Sequence, residues 1–358
     1  MSLQQFPSNK VVSDAARAIV REDCRDVVKN RTEQLAALKN QTIVITGGTG
    51  FIGTWLAELV TCLNDDYRFG TKAVLVARST DQFRTTKPHL ANRGDVTFLK
   101  ADVRHLLDMP KETNWVVHAA SSPDNRFHAS NPIETMMGIA DGTAAVLRAV
   151  DRCSDLRMFL NISSGLIYGD QPLNLERVSE KYSGSPLCHA PTSAYAEAKR
   201  YGEALAVAAR SQARIPAINV RPFAFIGPYQ SLDTPWAINN FLWDSLNGNP
   251  IKVLGDGQTV RSYMYPSDAA FWILSMLTNA KTGSVYNIGS PEAITLEKLA
   301  QLVASYFSPK PEIVLRVSSV AQQTRFVPDV TSALEQLGLK TTVSLEKSLT
   351  RTIEWHRK

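Results

Sequence analysis

The sequence has few cysteines and no long apolar run, and each absence argues against a class of protein. Only four of its 358 residues are cysteines, and they lie far apart with no metal-ligand pair such as C-x-x-C. This spacing is typical of reduced thiols in the cytoplasm rather than of a disulfide framework, and it predicts no metal site. No uninterrupted apolar segment reaches membrane-spanning length, and the N-terminus lacks the apolar core of a secretion signal, so we expect a soluble cytoplasmic protein without a membrane partner.

The sequence also lacks a large surplus of one charge. Its net charge is +5, and the lysines and arginines are scattered without a basic run. We therefore expect no nucleic-acid partner. An apolar content of 44% and a charged content of 20% are those of an ordinary globular protein, long enough for one large domain or two of average size.

A glycine-rich stretch, TGGTGFIG at residues 46–53, is the feature around which the chain is organised. A β-branched run at 41–45 precedes it and predicts a buried parallel strand, and helical spacing of apolar residues follows it. The glycines at 47, 50 and 53 provide a tight turn, room for a pyrophosphate and close packing of helix on strand. The helix N-terminus then offers free N–H groups to phosphates, so this pattern predicts a dinucleotide site.

Strands and helices alternate after residue 40, which predicts an α/β fold of the Rossmann type, a doubly wound parallel sheet. Predicted strands lie at 41–45, 72–77, 96–101, 115–120, 158–163 and 217–221. We divide the chain into an N-terminal helical extension (1–40), a dinucleotide-binding domain (41–222) and a smaller, mainly substrate-binding portion (223–358). Within the extension, the apolar spacing predicts a helix over 13–38, which we expect to be a packing element without chemistry.

Two further motifs carry chemistry. Tyr195 and Lys199 form a Y-x-x-x-K early in a predicted helix, and the spacing of four places both side chains on one face. An ammonium group beside a phenol favours the phenolate, so we expect a lowered pKa for Tyr195 and a role in moving the proton of an alcohol. Ser164 follows the predicted strand 158–163, where a serine hydroxyl can hydrogen-bond the reacting oxygen. The order and spacing of the three motifs together are more specific than any one of them.

With these motifs the chain resembles the extended short-chain dehydrogenases/reductases, and within them the nucleotide-sugar epimerases, dehydratases and ketoreductases. The resemblance covers nearly the whole sequence after residue 40. The segments that carry it are 46–53, 101–104, 118–121, 163–169, 195–199, 221–222, 227–228, 255–263, 286–289 and 345–355.

The resemblance implies roles for individual residues. It implies that Ser164, Tyr195 and Lys199 are catalytic. It also implies that Asp102 binds the amino group of the adenine and that Ala119 and Ala120 line the cofactor channel. The full cofactor set that it implies is Gly47, Thr49, Gly50, Phe51, Ile52, Gly53, Arg78, Asp102, Val103, Ala119, Ala120, Tyr195, Lys199 and Pro222. The substrate set is Ser121, Ser164, Arg261 and Arg325, and the two arginines suit the diphosphate of a nucleotide-sugar.

Departures from the family pattern reduce the number of reactions that the resemblance allows. Dehydratases of this family carry Asp-Glu directly after the catalytic Ser or Thr, whereas Gly165 and Leu166 stand here. The related decarboxylases carry a glutamate at position 166, and certain 3,5-epimerases a cysteine. What remains is hydride and proton transfer at a single carbon, C4. Ala224 and Ile139 also replace the asparagines usual in the family, so a substrate contact and a polar partner are missing or replaced.

Arg78 bears on the choice of cofactor. An acidic residue at the end of the second strand binds the ribose 2′-hydroxyl of NAD, but the sequence there reads Ala-Arg-Ser, with Asp81 close by. An arginine suits the 2′-phosphate of NADP, so we favour NADP slightly over NAD. Of the histidines, we expect His118 to be structural, and we do not assign His189 to the site.

We therefore predict a nucleotide-sugar 4-epimerase that uses NAD or NADP and acts as a homodimer, the usual assembly of the family. An NADPH-dependent reductase of nucleotide-4-keto-sugars is the alternative that Arg78 favours. A 4,6-dehydratase and a non-catalytic dinucleotide-binding protein are disfavoured, the second because Ser164, Tyr195 and Lys199 are all present.

Overall fold

The computed structural model describes residues 11–122, 124–316 and 323–358. Its strands are β1 (Thr42–Thr46), β2 (Lys72–Ala77), β3 (Val96–Lys100), β4 (Thr113–His118), β5 (Met158–Ile162), β6 (Ala217–Pro222), β7 (Ile251–Leu254), β8 (Val260–Arg261), β9 (Val285–Ile288), β10 (Ile294–Thr295), β11 (Ile313–Arg316) and β12 (Arg325–Phe326). Its α-helices are α1 (Asp14–Val28), α2 (Phe51–Tyr67), α3 (Asp81–Thr86), α4 (Pro88–Ala91), α5 (Asn125–Ser130), α6 (Pro132–Val150), α7 (Ala194–Ala213), α8 (Ala237–Leu246), α9 (Pro266–Asn279), α10 (Leu296–Ala304), α11 (Thr331–Leu337) and α12 (Leu345–Arg357). None of these helices, within the described ranges, is long and apolar enough to cross a bilayer.

Seven parallel strands form the central sheet, in the order β3-β2-β1-β4-β5-β6-β9. All five residues of β1 are buried, because the sheet has helices on both faces. The predicted Rossmann-type α/β fold is thereby confirmed. The strand order reverses between β1 and β4, and ligands of such sheets bind outside the strand ends at that reversal.

The seventh strand of the central sheet lies beyond residue 222, the boundary at which we divide the chain. The predicted sheet ended at 221, but β9 adds to its edge beside β6. The helix before it, α9, is buried along residues 266–277 and packs against α2. An almost continuous apolar run predicts a buried helix, but periodicity does not say which layer receives it. The segment 266–288 thus completes the central sheet, and a separate apolar cluster forms around α8 and α10.

Two small sheets complete the C-terminal part. One has the order β10-β8-β12 and the other pairs β11 with β7. In the first sheet β12 runs parallel to β8, so Arg325 pairs with Val260 in register and lies one position from Arg261. The two arginines predicted for the substrate therefore lie on neighbouring strands.

The N-terminal extension consists of two helical pieces rather than the single helix predicted over 13–38. α1 ends at Val28, Asn30 adopts a left-handed backbone with φ 61°, and a 3₁₀ turn follows at Thr32–Leu38. The apolar side of α1 joins the main core through residues such as Val20 and Val27. Its polar residues form ion pairs with α2 and α12. The extension thus packs on the main domain.

Candidate active site

The turn after β1 is sterically restricted to glycine at several positions. Gly47 has φ +66°, and a Cβ there would lie 2.7 Å from the carbonyl oxygen of Ala119. A Cβ on Gly53 would lie 2.5 Å from Gly48. Gly48, which the glycine spacing did not single out, is equally restricted, because its Cβ would lie 2.7 Å from that of Leu75.

Gly50 differs from these glycines in facing open space. It is exposed and forms the N-cap of α2, and the atom nearest to a Cβ there would be the Gly47 carbonyl oxygen, at 3.2 Å. No acidic residue occupies the first turn of α2, so negative charge there does not compete with a phosphate. The cradle is therefore tight on the side of the sheet and open at the helix N-terminus, which fits a bound pyrophosphate.

The residues predicted for the cofactor all follow the carboxyl ends of central strands, except for Tyr195 and Lys199 on α7. After β1 come Gly47, Thr49, Gly50, Phe51, Ile52 and Gly53; after β2, Arg78; after β3, Asp102 and Val103; after β4, Ala119 and Ala120; Pro222 closes β6. The carboxyl ends of parallel strands meet at one edge of the sheet, so the fold brings this set together.

Asp102 is held by its neighbour Arg104. The guanidinium donates to both carboxylate oxygens, from Nη2 to Oδ2 at 2.8 Å and from Nε to Oδ1 at 3.1 Å, and it also donates to Glu134. These hydrogen bonds lower the pKa of Asp102 to about 2. Arg78 is exposed, contributes to this lowering, and forms no ion pair with any described residue. The edge of the site next to β2 and β3 therefore offers one paired carboxylate and one unpaired guanidinium.

Ser164 and Ser121 meet at the hydroxyl of Tyr195. Both side chains hydrogen-bond it, and both bonds lower its pKa, but burial raises it more, so the net shift is upward. The neighbouring Ser163 does not take part: its Oγ is buried and has no hydrogen-bond partner among the described residues. The structure thus brings together three of the hydroxyl groups predicted for the site.

Lys199 follows Tyr195 by one helical turn, with its Nζ 5.7 Å from the centroid of the phenol ring. The Nζ donates a 2.8 Å hydrogen bond to the carbonyl oxygen of Ile162. Burial lowers the pKa of Lys199 to about 7, against a smaller opposing effect of Glu203. The lowered pKa predicted for Tyr195 is wrong for the free chain, because burial outweighs the two hydrogen bonds that favour the phenolate.

His128 is the residue that sequence reasoning missed. Its imidazole stacks on the ring of Tyr195, with centroids 4.3 Å apart and planes inclined by 11°. A histidine 67 positions before the tyrosine on a short helix gives no periodic signal, so only the fold reveals the pair. The two histidines considered from the sequence lie elsewhere: His118 links Thr46 to Thr143 inside the domain, and His189 is exposed in a loop.

A buried polar network lies next to the site and explains several of the other motifs. Arg221 donates to both carboxylate oxygens of Glu203, at 2.9 Å and 2.7 Å, and to the hydroxyl of Tyr168 at 2.8 Å. Tyr168 in turn donates to Asn287 at 2.8 Å, on the sheet edge formed by β9. The network ties α7 to the turn after Ser164 and to β9, so these residues hold the site rather than react in it.

Arg261 and Arg325 lie outside the central sheet. Arg261 donates to the backbone of Val260 and to Thr324, and Arg325 donates to a backbone carbonyl of residue 176. Neither forms an ion pair with a carboxylate among the described residues, and burial lowers the pKa of Arg261. The next residue, Phe326, stacks on Phe223 with centroids 4.4 Å apart, which places β12 against the turn that follows Ser164. Two guanidinium groups without carboxylate partners thus stand on a strand pair beside the site.

A metal-binding cluster and a cavity away from the central sheet are the other places to consider in the described part of the chain. Within the described ranges, no group of three His, Cys, Asp or Glu side chains is arranged to hold a metal ion. A cavity of about 240 Å³ lies between α1, α2 and α4 and shares no lining residue with the Tyr195 cluster. The three arginines that line it are each paired with aspartates. We therefore assign the chemistry to the edge of the central sheet and not to this cavity.

A family model described as the NAD dependent epimerase/dehydratase family matches residues 43–289, from β1 to the end of the central sheet. Among relatives, UDP-glucuronic acid decarboxylase 1 of Arabidopsis thaliana is 28% identical over 319 residues, which cover 88% of this chain and 69% of that protein.

Solved structures show the same fold. UDP-glucose 4-epimerase with UDP-glucose, from Thermotoga maritima, has a TM-score of 0.75 at 22% identity and covers 88% of this chain and 99% of that one. UDP-glucuronic acid 4-epimerase from Bacillus cereus, in complex with UDP-glucuronic acid and NAD, has a TM-score of 0.73 at 23% identity with the same coverage.

Proposed function

The chain belongs to the NAD-dependent epimerase/dehydratase family, and from this premise we propose that it is a nucleotide-sugar 4-epimerase. The observation that carries the proposal is the convergence of Ser121, Ser164 and Lys199 on Tyr195 beside a glycine turn that fits a pyrophosphate. When bound, the dinucleotide supplies a hydride acceptor and donor for one carbon of the sugar.

Tyr195 is the residue that moves the proton. It takes the proton of the C4 hydroxyl as that carbon becomes a ketone, and it returns a proton to the oxygen when C4 is reduced on its other face. Ser164 and Ser121 hydrogen-bond the phenol oxygen, which stabilises its charged form. Lys199, whose pKa lies near 7, places a partly protonated amine beside the same ring.

The turn after Ser164 supports single-carbon chemistry. Leu166 is 42% exposed and offers an apolar side chain that can neither give nor take a proton. A Cβ on Gly165 would lie 2.8 Å from the ring of Phe223, so an acidic side chain does not fit there without moving that ring. Elimination of water and loss of a carboxylate both need a proton-transfer group in this region. The site therefore favours epimerisation over the reaction named for the Arabidopsis relatives.

Product analysis tests the proposal. The purified protein is incubated with NAD and one nucleotide-sugar at a time: UDP-glucose, UDP-glucuronic acid or UDP-N-acetylglucosamine. Inversion of the sugar at C4 is followed by proton NMR. We expect Tyr195→Phe to lower turnover by about 10²- to 10⁴-fold with cofactor binding unchanged. Tyr67→Phe, at an exposed tyrosine that ends α2, is the control. Release of carbon dioxide from UDP-glucuronic acid contradicts the epimerase assignment, and unchanged turnover of Tyr195→Phe removes Tyr195 from the mechanism.

Arg78 favours a second candidate, an NADPH-dependent reductase of a nucleotide-4-keto-sugar. Its guanidinium is exposed at the end of β2 without an ion pair among the described residues, where it can meet a ribose 2′-phosphate. Loss of absorbance at 340 nm when NADPH and a 4-keto nucleotide-sugar are mixed with the protein selects this reading.

The remaining parts of the proposal concern the diphosphate of the substrate, the oligomeric state of the protein and its cellular compartment. Arg261 and Arg325 would pair with the diphosphate, since both lack carboxylate partners in the part of the chain described. Exposed apolar side chains on α6 and α7 favour a homodimer; they are Ile133, Met136, Met137, Tyr201 and Val207. The four unpaired cysteines favour the cytoplasm.

A further inference from the structure

The stacked pair of His128 and Tyr195 has no counterpart in the mechanism above. The two rings are 4.3 Å apart between centroids and almost parallel. His128 is only 7% exposed, so its imidazole fills the space over one face of the phenol. An edge-on contact would leave this face open to other groups, whereas a parallel ring at this distance closes it.

The imidazole is itself held in place. Its Nε2 lies 2.8 Å from the carbonyl oxygen of Ser122, and a carbonyl only accepts, so Nε2 carries the proton. The neighbouring Ser121 hydrogen-bonds the hydroxyl of Tyr195. Two consecutive residues therefore hold the two rings, one through the imidazole and the other through the phenol oxygen.

The short helix α5 fixes the position of the His128 imidazole. Its N-cap, Asp124, accepts a 2.8 Å hydrogen bond from the backbone N–H of Arg126 and so fixes the first turn. His128 lies one turn later, with its own N–H bonded to the carbonyl of Asp124 at 3.1 Å. The helix packs against α6 and against the turn 191–193 that leads into α7. The imidazole thus sits on a braced element and not on a free loop.

We propose that His128 is a positioning residue that clamps the phenol ring of Tyr195, so that its hydroxyl stays between Ser121 and Ser164. The inference rests on the proposed function, in which Tyr195 moves the proton. His128 does not itself carry the proton: its Nε2–H is committed to Ser122, and its ring covers the face of the phenol. Burial lowers the pKa of His128 and keeps the ring neutral, and the charged groups that act on it are Asp124 and Lys199.

Two substitutions distinguish an effect of the flat ring of His128 from an effect of its imidazole nitrogens. His128→Phe keeps a flat ring over Tyr195 and loses the hydrogen bond to Ser122, while His128→Ala removes both. Phe127→Ala, on the exposed side of the same helix, is the matched control. Where the alanine variant does not fold, His128→Leu fills the space without a flat ring and takes its place.

Two measurements are made on each variant. The first is kcat and KM for the nucleotide-sugar. The second is an ultraviolet absorbance titration of tyrosinate in the free protein, with the same variant carrying Tyr195→Phe subtracted, because the chain holds ten tyrosines. The titration needs no substrate, so it reports on Tyr195 even if the proposed reaction is wrong.

We expect His128→Ala to lower kcat by about 10- to 100-fold and to change KM by less than about 2-fold, since a misplaced catalytic group affects the chemical step. His128→Phe should keep kcat within about 3-fold of the parent, as should Phe127→Ala. Because burial raises the pKa of Tyr195, opening its face in His128→Ala should move the titration to lower pH.

Two outcomes overturn the inference. One is a His128→Ala variant with parental kcat and a parental Tyr195 titration. The other is a His128→Phe variant as impaired as His128→Ala, which would assign the effect to an imidazole nitrogen. If Tyr195→Phe retains full activity, the proposed function fails, but a downward shift of the titration in His128→Ala still shows that His128 covers Tyr195.

Discussion

The Nζ of Lys199 donates a 2.8 Å hydrogen bond to the carbonyl oxygen of Ile162, across 37 positions of sequence. Ile162 ends β5, and Ser164 follows two residues later. Lys199 lies one turn after Tyr195 on α7. This single bond therefore fixes the helix that carries the phenol to the strand that carries the serine, and Lys199 has a structural task as well as an electrostatic one.

The buried amine makes stability depend on pH. The pKa of Lys199 is lowered from 10.5 to about 7 by burial, so between these values the unfolded chain binds more protons than the folded one. The free energy of unfolding then rises with pH across this window; this stability is present above 10.5 and lost as the pH falls through 7. In the Lys199→Met variant, this contribution to the rise of the free energy of unfolding with pH should be absent.

Urea unfolding of the parent and of Lys199→Met at several pH values between 7 and 10 measures the effect. We expect the difference between the two free energies of unfolding to move in favour of the parent as the pH rises. Lys281→Met removes an exposed lysine and serves as the control. A difference that is independent of pH would contradict the lowered pKa.

Much of the fold follows from the sequence for clear reasons. β-Branched residues predict the strand that ends at Thr46, and glycines followed by helical spacing of apolar residues predict the helix after it. The Y-x-x-x-K spacing likewise places Tyr195 and Lys199 on one face of a helix, as α7 shows. These inferences are local, because each depends on residues within one or two turns of each other.

The parts that escaped prediction depend on contacts between distant segments. His128 reaches Tyr195 only because α5 packs against the turn before α7. β9 joins the central sheet from beyond residue 222, a choice that packing decides and not periodicity. The pKa of Tyr195 is governed by burial, which spacing to Lys199 does not report.

The N-terminal extension should contribute to global stability. Val20 on α1 is fully buried in the main core, so Val20→Ala should lower the free energy of unfolding by about 2 kcal/mol. Val11→Ala, at a residue that is 49% exposed, should change it by less than about 0.5 kcal/mol. Chemical denaturation measures both, and equal effects would show that α1 does not belong to the cooperative core.

The proposed homodimer gives a prediction on α6. Ile133, Met136 and Met137 follow helical spacing and are 78%, 41% and 48% exposed in the single chain. Met136→Glu places a charge in this stripe and should convert a dimer to a monomer in light scattering coupled to gel filtration. Leu334→Glu, at another exposed apolar position, should leave the mass unchanged. A parent protein that is monomeric at micromolar concentration removes the proposal.

Arg78 offers the sharpest test of the cofactor. Because its guanidinium is exposed and lacks an ion pair among the described residues, a ribose 2′-phosphate would gain a charge-assisted hydrogen bond there that a 2′-hydroxyl would not. Arg78→Ala should therefore weaken NADP binding by about 10-fold or more, and NAD binding by much less. Arg316→Ala, an exposed arginine on β11, controls for loss of positive charge. Calorimetric titration with each dinucleotide gives the two affinities, and equal affinities in the parent would mean that Arg78 does not select the cofactor.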